Sequence, residues 1–256
     1  MAGAALACGG DDDSGANAGD PSGGSPAATN TVATSVTPVV TPSTGGTAGG
    51  PGPLLPGPAS KYTPSEQDLA NYYRADSANA LFTNDQLFGQ VGPFKSAGEG
   101  QELAKAWGYQ EGYMVGFDPE GLLSSVVRGN YYVTVEAHLF ETIDGAEKAY
   151  RQYLAFYRGT PGVQEQEVRP LGNESSGWRA VGNKLGETQI DAVYHRFVLR
   201  RGNLVIQVET LGGLPFMTID AAREVAIIMD DRALGARPAP VPTISGLPTP
   251  AGGTAR

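Results

Sequence analysis

The sequence predicts an α+β domain: a mainly antiparallel sheet flanked by helices, containing two strand–helix units alike enough to raise an internal duplication. Three observations carry this. Arg128-Gly129-Asn130 leads into an apolar run and then Thr142-Ile143-Asp144-Gly145. Arg201-Gly202-Asn203 likewise leads into one and then Thr218-Ile219-Asp220-Ala221, so turn, strand and capped helix recur in the same order. Tyr131, Val133, Val135, Ala137 and Leu139 alternate with Tyr132, Thr134, Glu136 and His138, the period of a strand with one face buried. The order helices, strands, helix, strands, helix is that of an α+β domain with helices on one or both faces.

Residues 9 to about 60 are mostly Gly, Ser, Thr, Pro, Ala and Asp, with almost no aromatic side chain. Such a stretch buries too little apolar surface to offset its ordering entropy. Residues 9–60 are therefore expected to form a disordered tether and 238–256 a disordered tail. A coil of that tether's length spans roughly 40 Å. The region 61–237 holds every Trp, Tyr and Phe and is large enough for one substantial core.

The formal net charge is −9. An acidic chain repels phosphate backbones, which argues against a nucleic acid partner, and anionic headgroups would not attract it. Cys8 is the single cysteine, which excludes an intrachain disulfide. Ala4-Ala5-Leu6-Ala7-Cys8-Gly9 sets small and apolar residues before the cysteine and glycine after it. This resembles the lipobox of bacterial lipoproteins, where the cysteine receives a diacylglyceryl group and becomes the new N-terminus. The resemblance implies that residues 1–8 are the remnant of a signal and that Cys8 attaches membrane lipid. The domain would then sit on the extracytoplasmic face of the cell membrane, anchored rather than spanning. No apolar run of about 18 residues predicts a transmembrane helix.

Along the foldable region, Thr63-Pro64-Ser65-Glu66 reads as a cap and first turn, opening a helix with the stripe Leu69, Tyr72 and Tyr73. A helical turn is expected over 85–88, before Gly89 and the breaking pair Gly92-Pro93. A helix over 101–109 would place Leu103, Ala106 and Trp107 on one side and stop at Gly108 or Gly112. Residues 113–117 alternate as a strand, 118–121 form a turn, and 122–127 read as a short strand. After the strand at 131–140, Asp144 and Glu147 would cap a helix over 145–158 with Ala146, Ala149, Tyr150, Tyr153, Leu154 and Tyr157 inward. Strands follow over 163–171, 176–181 and 190–200. Gly202-Asn203 turns the last of these into 204–211 as a hairpin. The final helix, 220–233, turns Ala222, Val225, Ala226 and Met229 inward and stops at Gly235.

Two stretches carry a further resemblance: 135–150, with Phe140, Ala146 and Ala149, and Arg200-Arg201-Gly202-Asn203-Leu204-Val205-Ile206-Gln207-Val208. They are similar to parts of the extracellular sensor domain of mycobacterial membrane serine/threonine kinases and their related lipoproteins, within the PsbP-like α/β/α fold. The resemblance implies that most of 63–237 takes that layout and serves as a sensor-like module. Those domains usually carry disulfide-forming cysteines, and 61–237 has none.

Candidate chemistry is sparse. Glu136 and His138 share a strand face, as a metal pair would, but a third ligand has no recognisable spacing. The bland expectation is that His138 is exposed and His195 is a hydrogen-bonded histidine near the core. Glu165 and Glu167 share an outer strand face. No Gly-x-Ser-x-Gly or phosphate-cradling glycine pattern is present. No catalytic residue, metal or cofactor is therefore assigned. The tyrosines read as core, with a secondary reading as a groove lining. Trp107, Tyr109, Tyr113, Tyr132 and Arg200 are the candidate contacts for a small molecule, a glycan or an envelope protein. Arg196, Arg200 and Arg201 lie close enough in sequence to grip an anion, although a solvated strand edge is the favoured reading. The expected function is a non-catalytic ligand-binding or sensor-like module, with an envelope assembly module as the alternative and an enzyme with a dispersed site behind it.

Overall fold

The computed structural model describes residues 52–82, 93–94, 96–126 and 129–240, all within one compact unit. The expected turn at 85–88 lies outside these residues. Strands β1 (Tyr72–Phe82), β2 (Tyr109–Pro119), β3 (Tyr132–Phe140), β4 (Val163–Gln166), β5 (Glu174–Lys184), β6 (Asp191–Arg201) and β7 (Leu204–Gly213) form one seven-stranded sheet, ordered β1-β2-β3-β7-β6-β5-β4. Every pairing is antiparallel. Helices α1 (Ala97–Ala106), α2 (Leu122–Val126), α3 (Ile143–Gly159) and α4 (Ile219–Ala233) flank it, which makes the fold α+β as the sequence predicts.

The strand faces differ from expectation. Val133, Val135, Ala137 and Leu139 pack with Phe197, Leu199, Leu204 and Ile206 under Ala222, Val225, Ala226 and Met229 of α4. The opposite face is buried too, with Tyr150, Tyr153 and Tyr157 of α3 covering Phe140, Trp178, Val198 and Val205. The sheet is thus sandwiched between the two long helices. The turn–strand–helix units are β3–α3 and β7–α4. Their strands are antiparallel neighbours, but their helices take opposite faces. The twofold axis normal to such a pair would put both helices on one face, so it does not relate the two units.

The helix expected from Thr63 is absent; turns over 66–71 lead straight into β1. Asp68 accepts from the Ser65 amide and hydroxyl, and Asn71 at φ 68° turns the chain away. Local side-chain bonds of this kind compete with a helical ladder. The expected strand at 122–127 is instead α2. Both edges of β2 are occupied, by β1 and β3, so the segment cannot pair beside the strand it follows. The helix expected over 101–109 starts and ends earlier, with Ser96 accepting from Glu99 at its N-cap. Gly100 and Ala104 are buried in it and Ala106 is exposed.

Helix α3 matches expectation in its inward face, but Thr142 caps it by accepting from the Gly145 amide. Asp144 and Glu147 pair instead with Lys148 and Arg151 one turn on, exposed contacts worth little. Strand β4 ends at Gln166, before Pro170 removes a ladder donor. The Gly202-Asn203 hairpin forms as expected, with Gly202 at φ 57°.

Residues 52–60, placed by composition in the tether, dock on that hairpin. Leu55 donates its amide to Asn203 Oδ1 at 2.6 Å, and Asn203 Nδ2 donates back to the Leu55 carbonyl. Leu55, Ala59 and Tyr62 are buried in the α4-side core. Apolar side chains spaced four and three residues apart give this otherwise small-residue segment enough area to hold.

Candidate functional site

A polar cluster fills the sheet face beneath α3. His138 is 1% exposed, and Glu136 is also buried, which corrects the expectation of an exposed His138. Glu136 Oε2 lies 3.0 Å from His138 Nε2, Tyr109 Oη lies 3.2 Å from Nδ1, and Tyr153 Oη lies 3.2 Å from Nε2. Tyr157 donates to Gln207, and Arg196 pairs with Glu209 beside the Tyr157 ring. Burial, followed by the nearby Glu136 carboxylate, pushes the Tyr109 and Tyr153 phenols up. Both phenols stay protonated and meet the His138 ring, one at each nitrogen, while Glu136 shares Nε2 with Tyr153. Such satisfied networks rigidify a core. Among the described residues, no group of three His, Cys, Asp or Glu side chains is placed to share a metal.

His195 sits on the α4 face opposite Thr210. Its Nδ1 and the Thr210 hydroxyl are buried without partners, so the expectation of a hydrogen-bonded His195 is corrected at that nitrogen. Burial first, then the Arg179 charge, push its pKa down to about 4. The unfolded chain therefore binds a proton that the folded chain refuses. Stability should fall as pH drops from 6.5 toward 4, by up to about 3 kcal/mol, and stay level above this window. In His195→Leu that slope should vanish from denaturant melts taken at pH 4.5, 5.5 and 7.5. Parallel pH profiles for the two proteins would overturn the assignment.

The third feature is an open polar cleft of about 280 Å³ at the hairpin end, lined by Pro170, Leu171, Gly172, Asn173, Glu174, Ser175 and Arg201. The Asn173 side chain accepts from the Gly202 amide at 2.7 Å, and Leu171 donates its amide to Ser175 Oγ. Gly172 has φ 70°, and a Cβ there would lie 2.6 Å from the Arg200 carbonyl. Two ion pairs frame the cleft. Arg201 forks onto Asp230 of α4 at 2.8 and 2.7 Å. Arg200 reaches Glu174 at 2.8 and 2.6 Å and donates to the Gly202 carbonyl. Arg196, Arg200 and Arg201 are thus each matched by a carboxylate, and the three do not converge as an anion grip.

The structure scatters the candidate contact residues. Trp107 caps the end of α1, half-buried beside Phe94. Tyr109 lies in the α3-side core and Tyr113 packs on the opposite face. Tyr132 borders a small cluster at the far end of the sheet, and Arg200 is buried at the hairpin end. Cys8 lies outside the described residues. Only Arg200 touches the cleft, through Glu174. No motif marks the cleft loop in the sequence: Gly172-Asn173 is an ordinary turn pair, and Arg201 reads as part of a hairpin turn and a basic cluster.

No family model and no curated protein matches the chain. Among solved structures, the chain is similar to the crystal structure of the extracellular domain of PknH from Mycobacterium tuberculosis. The two are 11% identical with a TM-score of 0.42, over 72% of this chain and 100% of that one. Among the described residues, no helix is long and apolar enough to cross a membrane.

Proposed function

We propose that this protein is a non-catalytic, extracytoplasmic module, lipid-anchored through Cys8, that binds a small polar ligand in the cleft between residues 170–175 and Arg201. The observation that carries the reading is the cleft's charge balance. Arg201 and Arg200 are each held by a carboxylate, so an anion gains no unpaired cation there. What the cleft offers is a polar lining, from Asn173, Glu174, Ser175 and Arg201; the Ser175 hydroxyl accepts from the Leu171 amide and has its own proton to donate. That inventory suits an uncharged, hydroxyl-rich ligand such as a glycan fragment.

The test is thermal unfolding of the full chain across envelope glycan fragments, polyols and small anions, with amide chemical shifts followed at 170–175 and 201. A ligand at 100 times its Kd should add about 2.7 kcal/mol. Stabilisation by a glycan, with shifts confined to the cleft, is the expected result. Stabilisation by anions alone, or shifts elsewhere, would overturn the ligand class or the site.

A further inference from the structure

A second surface lies at the opposite end of the sheet, where β2 ends and β6 begins. Leu122 and Leu123 open α2 and are 46% and 37% exposed, and Phe216, after β7, is 55% exposed. The two loops meet around Val126, Leu185 and Ala192. A Cβ on Gly186 would lie 3.0 Å from Leu123 Cδ2, and one on Gly213 would lie 3.6 Å from Phe216 Cδ2. Leu122 has φ 46°, a left-handed conformation that leucine adopts at a cost, and it holds an apolar side chain in water. Exposed Glu120 precedes α2, exposed Asn130 precedes β3, and exposed Asn183 and Glu187 flank Leu185 at the β5–β6 turn.

We propose that this end of the domain rests on a phospholipid bilayer, with Leu122, Leu123 and Phe216 dipping into the interface; the proposal rests on the lipid-anchor part of the reading above. Apolar tips on separate loops within a polar rim suit a deformable interface better than a flat protein face. Chain geometry makes the same end available. Residue 52 meets the domain beside Gly202, at the hairpin end away from these loops. The longest strands have 11 residues, about 36 Å at the usual rise. At the coil dimensions that composition leads one to expect, 9–51 would span roughly that distance, so an anchor at Cys8 lets the far end return to the membrane. The net charge of −9 points to zwitterionic rather than anionic lipid.

Cys8 is the only cysteine, so the full chain can be coupled through it to a maleimide lipid in phosphatidylcholine vesicles, whatever acylates it in the cell. Amide hydrogen exchange is then compared on vesicles and in solution. Exchange over 121–126 and 214–217 should slow about tenfold on vesicles, equivalent to about 1.4 kcal/mol. The slowing should vanish in Leu122→Ser/Leu123→Ser/Phe216→Ser, while that variant's melting temperature in solution stays near wild type. Partial replacement at Phe216 alone supplies a milder variant if the triple change misfolds. Unchanged exchange on vesicles would overturn the proposal. Protection in free protein that grows with concentration would also overturn it, in favour of a second copy. Acylation of Cys8 is read separately by mass spectrometry of membrane-expressed protein, so the two readings fail independently.

Discussion

Asp68→Ala is expected to destabilise the domain by about 3–5 kcal/mol, the cost of leaving a buried charge without its partner. The partner is Arg232, whose side chain is 4% exposed and whose Nη2 lies 2.7 Å from Asp68 Oδ2. Arg232 also donates to the Thr63 and Pro238 carbonyls. Asp68 holds Arg237 as well, and accepts from the Ser65 amide and hydroxyl. One carboxylate thereby ties the entry segment to the end of α4. Burial alone would raise its pKa, but the Ser65 hydrogen bonds and the Arg232 guanidinium outweigh it and hold it below the usual value. Its contribution is therefore complete above the unfolded value of about 3.9 and is lost as pH falls through the lower folded value. Urea melts at pH 7 and pH 3 check both statements. Asp68→Leu combined with Arg232→Met should recover much of the loss, since the only charged partner then left over is Arg237, whose side chain reaches solvent. A cost below about 1 kcal/mol for Asp68→Ala at pH 7 would show that solvent screens the pair.

Gly145→Ala is the second large effect, and its sign opposes helix propensity. Alanine inside a helix is favoured over glycine by up to about 1 kcal/mol. Gly145, however, is buried in the first turn of α3, and a Cβ there would lie 2.0 Å from the Trp107 carbonyl oxygen and 3.0 Å from its carbon. That carbonyl cannot swing away cheaply. The Trp107 amide is bonded to Leu103, and the next carbonyl, of Gly108, accepts from Glu141 at 2.7 Å. Relief requires parting α3 from the α1–β2 joint, so a net loss of about 1–3 kcal/mol is expected. Gly98→Ala in α1 is the control: nothing lies within 4 Å of its Cβ position, and it should be neutral or stabilising. Thermal melts of the two variants decide it, and stabilisation by Gly145→Ala would overturn the packing argument.

What the sequence revealed followed chain-local physics. Helix α4 was legible because Ala222, Val225, Ala226 and Met229 recur at helical spacing and all four are buried. The β6–β7 hairpin was legible because Gly-Asn suits a two-residue turn. The cleft was not, since it joins Glu174 and Ser175 to Arg201 across a strand pair and borrows Asp230 from α4. Thr-Pro-Ser-Glu is a good local helix start, but Asp68 is taken up by Ser65 nearby and by Arg232 far along the chain, and the helix does not form.

The sequence by itself determined the α+β class, the inward faces of the two long helices and the hairpin that joins β6 to β7, because periodicity and turn chemistry act over a few residues. Only the tertiary structure decided that both sheet faces are buried, that His138 belongs to a sealed polar cluster and that residues 52–60 belong to the fold. Those outcomes depend on which surfaces meet. Period-two alternation marks two faces of a strand but not what covers them. A polar face reads as solvent-facing until a helix such as α3 arrives with tyrosine hydroxyls to satisfy it.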